Sequence, residues 1–324
     1  MKRKVVVTDH VFPNLDIERK ELSRIGAELF ECRSTEPEAI IQTAADADGV
    51  LTCYAELTPG VIDSFRNCRV ISRYGIGVNN IHVPTATKKK IAVAYVPDYC
   101  IEEVSDHALA LILACTRKVC QLDRTVKGGT WDFKGHRPIY RLRGQTLGLV
   151  GFGNIPRRLA EKVRAFEFTV LAFDPYVSQE TAAAHHVKLV GLAELLKESD
   201  IVSIHAPLTK ETEGMLGYEQ FSLMKKTAFL INTARGKLIN EPDLARALGQ
   251  GLLAGAGLDL LAKEAYDPAN PLLKLDNVVI TPHVAFYSEQ SMQELQYKAV
   301  HAVTSVLTGR APATCLNPEV LNQH

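Results

Sequence analysis

An α/β fold is predicted for this chain, and three observations predict it. Short apolar runs of strand type alternate with stretches of helical periodicity along nearly all of the 324 residues. One stretch, QTLGLVGFGNIPRRLAEKVRAFEFTVLAFD at 145–174, is a complete βαβ unit with a glycine-punctuated turn. The length is that of roughly two domains, each long enough for its own core. These features imply two Rossmann-like domains: a flavodoxin-like first one, and a doubly wound second one built around the βαβ unit.

Taken in order, residues 5–8, 49–52, 70–72 and 91–96 read as buried parallel strands, with helical patterns at 16–25, 37–45 and 59–65. The segment RYGIGVNNI, 73–81, is a sharp loop at the carboxyl end of its strand, where α/β sheets bind ligands. IEEVSDHALALILACTRKV, 101–119, is acidic at its start, basic at its end and apolar on nearly every side, which predicts a helix buried all round. Residues 121–144, with the single tryptophan Trp131, read as irregular packing, and 309–324 carries little pattern. The second domain supplies strands at 146–150, 169–173, 201–205, 228–232, 254–258 and 278–281. Helices are expected at 157–166, 191–197, 218–224 and 241–250, and a last one at 288–307 should return to the first domain. The boundaries are then 1–100 plus 286–324 for one domain and 101–285 for the other.

Gly151 and Gly153 stand between a strand and a helix, where bare backbone can approach a pyrophosphate whose charge rests on the free N–H groups of the helix start. Asp174 closes the second strand about 20 residues on, where a dinucleotide site needs an acid for the ribose 2′-hydroxyl. Pro156 replaces the third glycine of the fingerprint, and in the first helical turn its missing N–H costs little. Three further strand ends share the same sheet edge: Thr233-Ala234-Arg235-Gly236, Asp259 and Thr281-Pro282-His283. Chemistry is expected there.

Composition excludes several classes. With 37 basic and 37 acidic residues the formal charge is +0, so no electrostatic footprint for nucleic acid or a membrane surface exists. The start MKRKVVV is broken at Thr8 and Asp9, short of a signal peptide, and the longest apolar run, 108–115, falls below the roughly 20 residues of a membrane span. A cytoplasmic location follows. Seven cysteines without a CxxC pair read as buried thiols, with no metal site. His185 and His186 read as solvated, His107 as a structural histidine in the buried helix, and Arg73, Tyr74 and Tyr99 as residues placed to line a substrate cleft.

INTARGKLIN, GAGLD, NPLLKLDNVVITPH, HAPLTKETEGMLG and the GFGNIP unit, spread with the others over 75–283, resemble the D-isomer-specific 2-hydroxyacid dehydrogenase family. VPDYCIEEVSDHALALIL and HVAFYSEQS further resemble the branch related to the C-terminal binding proteins. The resemblance implies NAD as cofactor, a small 2-oxo or D-2-hydroxy acid as substrate in a cleft between the domains, and a homodimer. It puts the catalytic residues on Arg235, Glu264 and His283. Cofactor contacts fall on Gly151, Gly153, Asn154, Ile155, Asp174, His205, Pro207, Thr233, Arg235, Asp259 and His283. Substrate contacts fall on Gly75, Ile76, Gly77 and Arg235. One departure concerns the glutamate: DLLAKEA keeps Glu264 in register but follows it with Ala265 where the family has proline.

Elementary chemistry agrees with these roles. A 2-hydroxy acid needs a base for its hydroxyl proton and a cation for its carboxylate; an imidazole titrates nearest neutrality, and a guanidinium grips a carboxylate in two places. The alternatives are an NAD-sensing regulatory protein with little turnover, or phosphite or formate oxidation in the same fold.

Overall fold

The computed structural model describes residues 2–323. Contacts divide the chain into two compact units, Met1–Cys100 with Tyr287–His324, and Ile101–Phe286. In the first unit, strands β1 (Arg3–Val7), β2 (Ala27–Glu31), β3 (Gly49–Thr52), β4 (Val70–Arg73) and β5 (Ala92–Ala94) alternate with helices α1 (Asp16–Ser23), α2 (Pro37–Ala44), α3 (Pro59–Ser64) and α4 (Val83–Lys88). All pairings are parallel and the order is β2-β1-β3-β4-β5, the flavodoxin-like arrangement. One face of this sheet is covered by a core that includes Val6, Ile40, Val50, Ile62, Phe65 and Ile71.

Strand β2 was not expected. Its sequence AELFE is made of residues that favour helices, and only Ala27 is buried because the strand lies at the sheet's edge. Edge position removes the continuous apolar run by which a central parallel strand is recognised. The short helix α4 also escapes detection, having too few turns to show a period.

The second unit begins with α5 (Ile101–Thr116) and α6 (Val119–Lys127), followed by β6 (Thr146–Val150), α7 (Asn154–Lys162), β7 (Thr169–Phe173), α8 (Gln179–Ala184) and β8 (Lys188–Leu189). Then come α9 (Leu192–Glu198), β9 (Ile201–Ile204), α10 (Tyr218–Leu223), β10 (Phe229–Asn232), α11 (Glu241–Gly249), β11 (Gly255–Leu258) and β12 (Val278–Ile280). Its seven parallel strands run β12-β11-β10-β9-β6-β7-β8, so the order reverses at β6 and β9. That reversal is the switch point at which doubly wound sheets bind nucleotides. Separate apolar cores cover the two faces, one around Leu195, Phe221 and Leu244, the other around Leu111, Leu149 and Leu159.

Two expectations are corrected here. Helix α5 is not buried all round: Val104, Ala108, Leu111, Ile112 and Cys115 are inside, whereas Ala110 is exposed and Leu109, Leu113 and Ala114 are half-buried. The segment expected to be irregular opens with α6, whose outer Val119 and Val126 are exposed. The last helix, α12 (Glu289–Leu307), belongs to the first unit and packs on α1, β3 and β4. Pro318–Gln323 forms a short 3-10 turn in the tail expected to be patternless, and His324 lies outside the described residues.

Candidate active site

The carboxyl edge of the second sheet gathers the candidates. After β6 the chain turns through Gly151, whose φ of +91° is reached without strain only by glycine, and a Cβ there would meet the backbone N of Ala206 at 2.8 Å. The loop after β9 thus lies directly against the turn. Gly153 caps α7, and no atom comes within 4 Å of the point a Cβ would occupy there, which leaves the helix start bare. Pro156 is buried in the first turn of α7, where its missing N–H breaks no helical bond. Asp174 ends β7, and its carboxylate accepts the N–H of Phe152 at 2.8 Å and of Tyr176 at 2.9 Å, so its position is set by the glycine turn itself.

The residues present fit a dinucleotide. Besides the bare helix start, the buried Thr233 Oγ1 at the end of β10 has no hydrogen-bond partner among the described residues. An orphaned buried hydroxyl is costly, and at this sheet edge a bound ligand group would satisfy it. His205, after β9, shares a 2.9 Å hydrogen bond with Ser203 Oγ. Part of the residue is exposed, yet desolvation of the ring pushes it down to about 3, so this imidazole is neutral.

Beyond Thr233 the loop is held by Asn232, which is fully buried: its Nδ2 donates to Arg235 O at 2.9 Å and its Oδ1 accepts from Ala234 N at 3.0 Å. Gly236 follows, and a Cβ there would stand 2.1 Å from the backbone C of Leu261. Absence of a side chain therefore lets the loop bearing Glu264 lie against the loop bearing Arg235. Glu241 secures the same loop from α11, accepting from Ala262 N and from Asn270 Nδ2.

Glu264 Oε2 lies 2.6 Å from His283 Nδ1. The pair forms although Ala265 stands in place of proline. The hydrogen bond with His283 holds the Glu264 carboxyl below its usual range against the opposing effect of burial, and the neighbouring Arg235 guanidinium adds to the shift. His283 adopts φ +53°, the left-handed region that side chains other than glycine seldom occupy. Asp259 imposes that conformation. Fully buried at the end of β11, it accepts from Thr281 Oγ1 (2.5 Å), Val284 N (3.0 Å) and Ala285 N (2.9 Å), while its carbonyl accepts His283 N at 2.7 Å. His107 on α5 joins the same cluster, 2.9 Å from Thr281 Oγ1, in keeping with a structural role.

In the first unit the loop holding Gly75, Ile76 and Gly77 is laced to its neighbours by residues that the sequence pattern does not single out. Asp9 accepts the N–H groups of Cys53, Tyr54 and Ala55, and Asn80 Nδ2 donates to the carbonyls of Cys53 and Ala55. Polar residues directly after apolar runs were the available signal. Tyr74 and Tyr99 are buried, so neither lines a site as expected; Arg73 is half-buried. His185 is not simply solvated either, since its ring packs edge-on against Phe152 at 5.9 Å. Among the described residues no group of three or more His, Cys, Asp or Glu side chains is arranged for a metal, and no helix is long and apolar enough to cross a membrane.

A doubly wound sheet with a nucleotide turn at its switch point and an imidazole–carboxylate pair on the same edge defines an NAD-dependent oxidoreductase. The chain belongs to the D-isomer-specific 2-hydroxyacid dehydrogenase family, whose NAD-binding domain matches residues 109–285. It is 36% identical to a glyoxylate reductase of Korarchaeum cryptofilum over 96% of either chain. A D-3-phosphoglycerate dehydrogenase of Archaeoglobus fulgidus is 44% identical over 69% of this chain but only 42% of its own length. Among solved structures, D-lactate dehydrogenase from Aquifex aeolicus complexed with NAD and lactic acid superposes with a TM-score of 0.85 at 28% identity, covering 99% of this chain and 98% of that one.

Proposed function

We propose that this enzyme interconverts a small unphosphorylated 2-oxo acid, of glyoxylate, pyruvate or hydroxypyruvate type, and the D-2-hydroxy acid. The observation that carries the mechanism is the 2.6 Å contact between His283 and Glu264 beside Arg235. Bound NAD(H) supplies the hydride acceptor or donor. In reduction, His283 gives the proton on Nε2 to the carbonyl oxygen as the C2–H bond forms; in oxidation it takes that proton back. Glu264 engages Nδ1, which fixes the ring's orientation and leaves Nε2 for the reacting atoms. Arg235 pairs with the substrate carboxylate, and the loop of Gly75, Ile76 and Gly77 contributes backbone donors. For the cofactor, Gly151, Gly153, Asn154 and Ile155 receive the pyrophosphate and Asp174 the ribose. His205, Pro207, Thr233, Arg235, Asp259 and His283 surround the remainder, Asp259 by holding the His283 loop from beneath.

Two features support an unphosphorylated substrate. The segment after β3, Cys53 to Phe65, carries no Arg or Lys; the nearby cation is Arg73, whose guanidinium packs on Gly75, and a phosphate would call for a further guanidinium. The glyoxylate reductase relative is also matched end to end, which the longer phosphoglycerate dehydrogenase is not. We also propose a homodimer, supported by the apolar side chains left outside on α5, α6 and the Trp131 segment, and a cytoplasmic location, supported by the cysteines, all of them unbridged. NADH oxidation against glyoxylate, pyruvate, hydroxypyruvate, phenylpyruvate and phosphohydroxypyruvate tests the reading. Flat traces with every acid would overturn it, and kcat/KM for phosphohydroxypyruvate well above that for hydroxypyruvate would overturn the substrate class.

A further inference from the structure

Glu18 on α1 is fully buried, although carboxylates rarely enter a core without a cation, and among the described residues no Lys or Arg hydrogen-bonds to it. Two neutral donors meet it instead: the Tyr74 hydroxyl at 2.9 Å on Oε1 and Gln296 Nε2 at 2.9 Å on Oε2. Gln296, on α12, also donates to Asn14 O at 2.9 Å. One carboxylate therefore joins α1, α12 and the residue at the root of the loop after β4. Burial raises the Glu18 carboxyl above its ordinary range, and an apolar side chain of this size would suit the core better. Its retention asks for a reason.

Tyr74 provides one. Its ring is buried and packs edge-on against Phe12 at 4.8 Å, its N–H is held by Thr52 O at 2.8 Å, and the next residue is Gly75 at φ +141°. Arg73 closes the other side, its Nη1 only 1.4 Å from where a Gly75 Cβ would stand. Gly75 is thus flanked by the Arg73 guanidinium packed over it and by Tyr74 before it in the chain, whose buried phenol rests on Glu18.

We propose that Glu18 is a positioning residue for the loop of Gly75, Ile76 and Gly77, fixing through Tyr74 the backbone that receives the substrate. This rests on the reading of that loop as a substrate loop. An amide in place of the carboxylate preserves the network, because its oxygen can accept from Gln296 while its NH2 donates to a turned Tyr74 hydroxyl. Alanine cannot do either.

The test measures amide hydrogen exchange over 73–80, together with steady-state kinetics on glyoxylate and NADH affinity, in E18A, E18Q and Y74F. In E18A and Y74F, exchange should quicken and KM for glyoxylate rise by about tenfold, with kcat within about threefold and NADH affinity within about twofold, as for a lost buried hydrogen bond acting on ground-state binding. E18Q should recover most of both. Wild-type exchange over 73–80 in E18A overturns the proposal whatever KM does, as does an E18Q variant no better than E18A. If E18A does not fold, Y74F alone decides on the same two measurements. G75A separates the two ideas: an unchanged KM in that variant refutes the substrate loop, and exchange over 73–80 then decides alone whether Glu18 positions the backbone.

Discussion

At the scale of single residues, the site depends on His283 being held in a conformation it would not choose. The left-handed backbone costs on the order of 1 kcal/mol or more, and the buried Asp259 network offsets it by accepting two backbone N–H groups on the far side of the strained residue. His283→Ala and Arg235→Ala should each lower kcat by about 10² to 10⁴, with NADH affinity within a few-fold; a near-normal rate for His283→Ala in stopped-flow turnover sinks the mechanism. The Glu264 carboxyl is depressed in the folded protein, so its contribution to holding the pair is complete above the ordinary carboxylate range. It is lost only as pH falls through the lowered value. Glu264→Gln removes the carboxylate whose protonation would weaken the pair, so the pH–kcat profile should change more than its maximum. A pH–kcat profile identical to the parent counts against that role. Asp174 makes a second residue-level prediction: facing a 2′-phosphate with like charge, it should give strong preference for NAD over NADP, and Asp174→Ala should narrow the gap in kcat/KM. Equal efficiency with both cofactors in the parent enzyme removes the argument.

At the scale of elements, two loops from different strands touch because Gly236 has no side chain. Gly236→Ala would press a methyl into the Leu261–Ala262 backbone, an overpacking that typically costs about 1–3 kcal/mol. The cheapest relief is to move the loop carrying Glu264, so we expect kcat to fall by about tenfold or more while NADH titration changes little. Normal kcat with a lowered melting temperature means the strain was absorbed elsewhere. The strand ends that carry the candidate residues were legible because buried parallel strands are continuous apolar runs that end abruptly in polar residues. The stitching that aims them was not: Asn232, Gly236 and Asp9 act on partners that only chain reversal brings near, and edge strand β2 lacks the apolar run altogether.

At the scale of the molecule, apolar surface remains outside. Trp131 is 91% exposed, and Val119, Phe133 and Tyr140 are about half exposed, all within one stretch of sequence that follows the open face of α5. Exposed large apolar side chains are what the proposed pairing would use. A symmetric pairing would bury them on both copies. Light scattering at micromolar protein should give twice the 35.7 kDa chain mass, and a Trp131→Asp, Phe133→Asp variant should shift it toward the monomer. A monomeric parent would count against the pairing.

The sequence alone determined the two α/β units, the nucleotide turn and the acid at its proper distance, while the roles proposed for Arg235, Glu264 and His283 came from the resemblance of its motifs to a known family. The first three follow from local patterns: the periods of strand and helix, glycine at turns, and polar residues at strand ends. Tertiary structure alone decided that Glu264 reaches His283 despite Ala265, that Asp259 lies beneath the loop it ties, that Tyr74 is buried on Glu18, and that one face of α5 is left open. Each of those is a contact between residues far apart in the chain. Its geometry is set by close packing and by hydrogen-bond direction, neither of which leaves a periodic mark on the sequence.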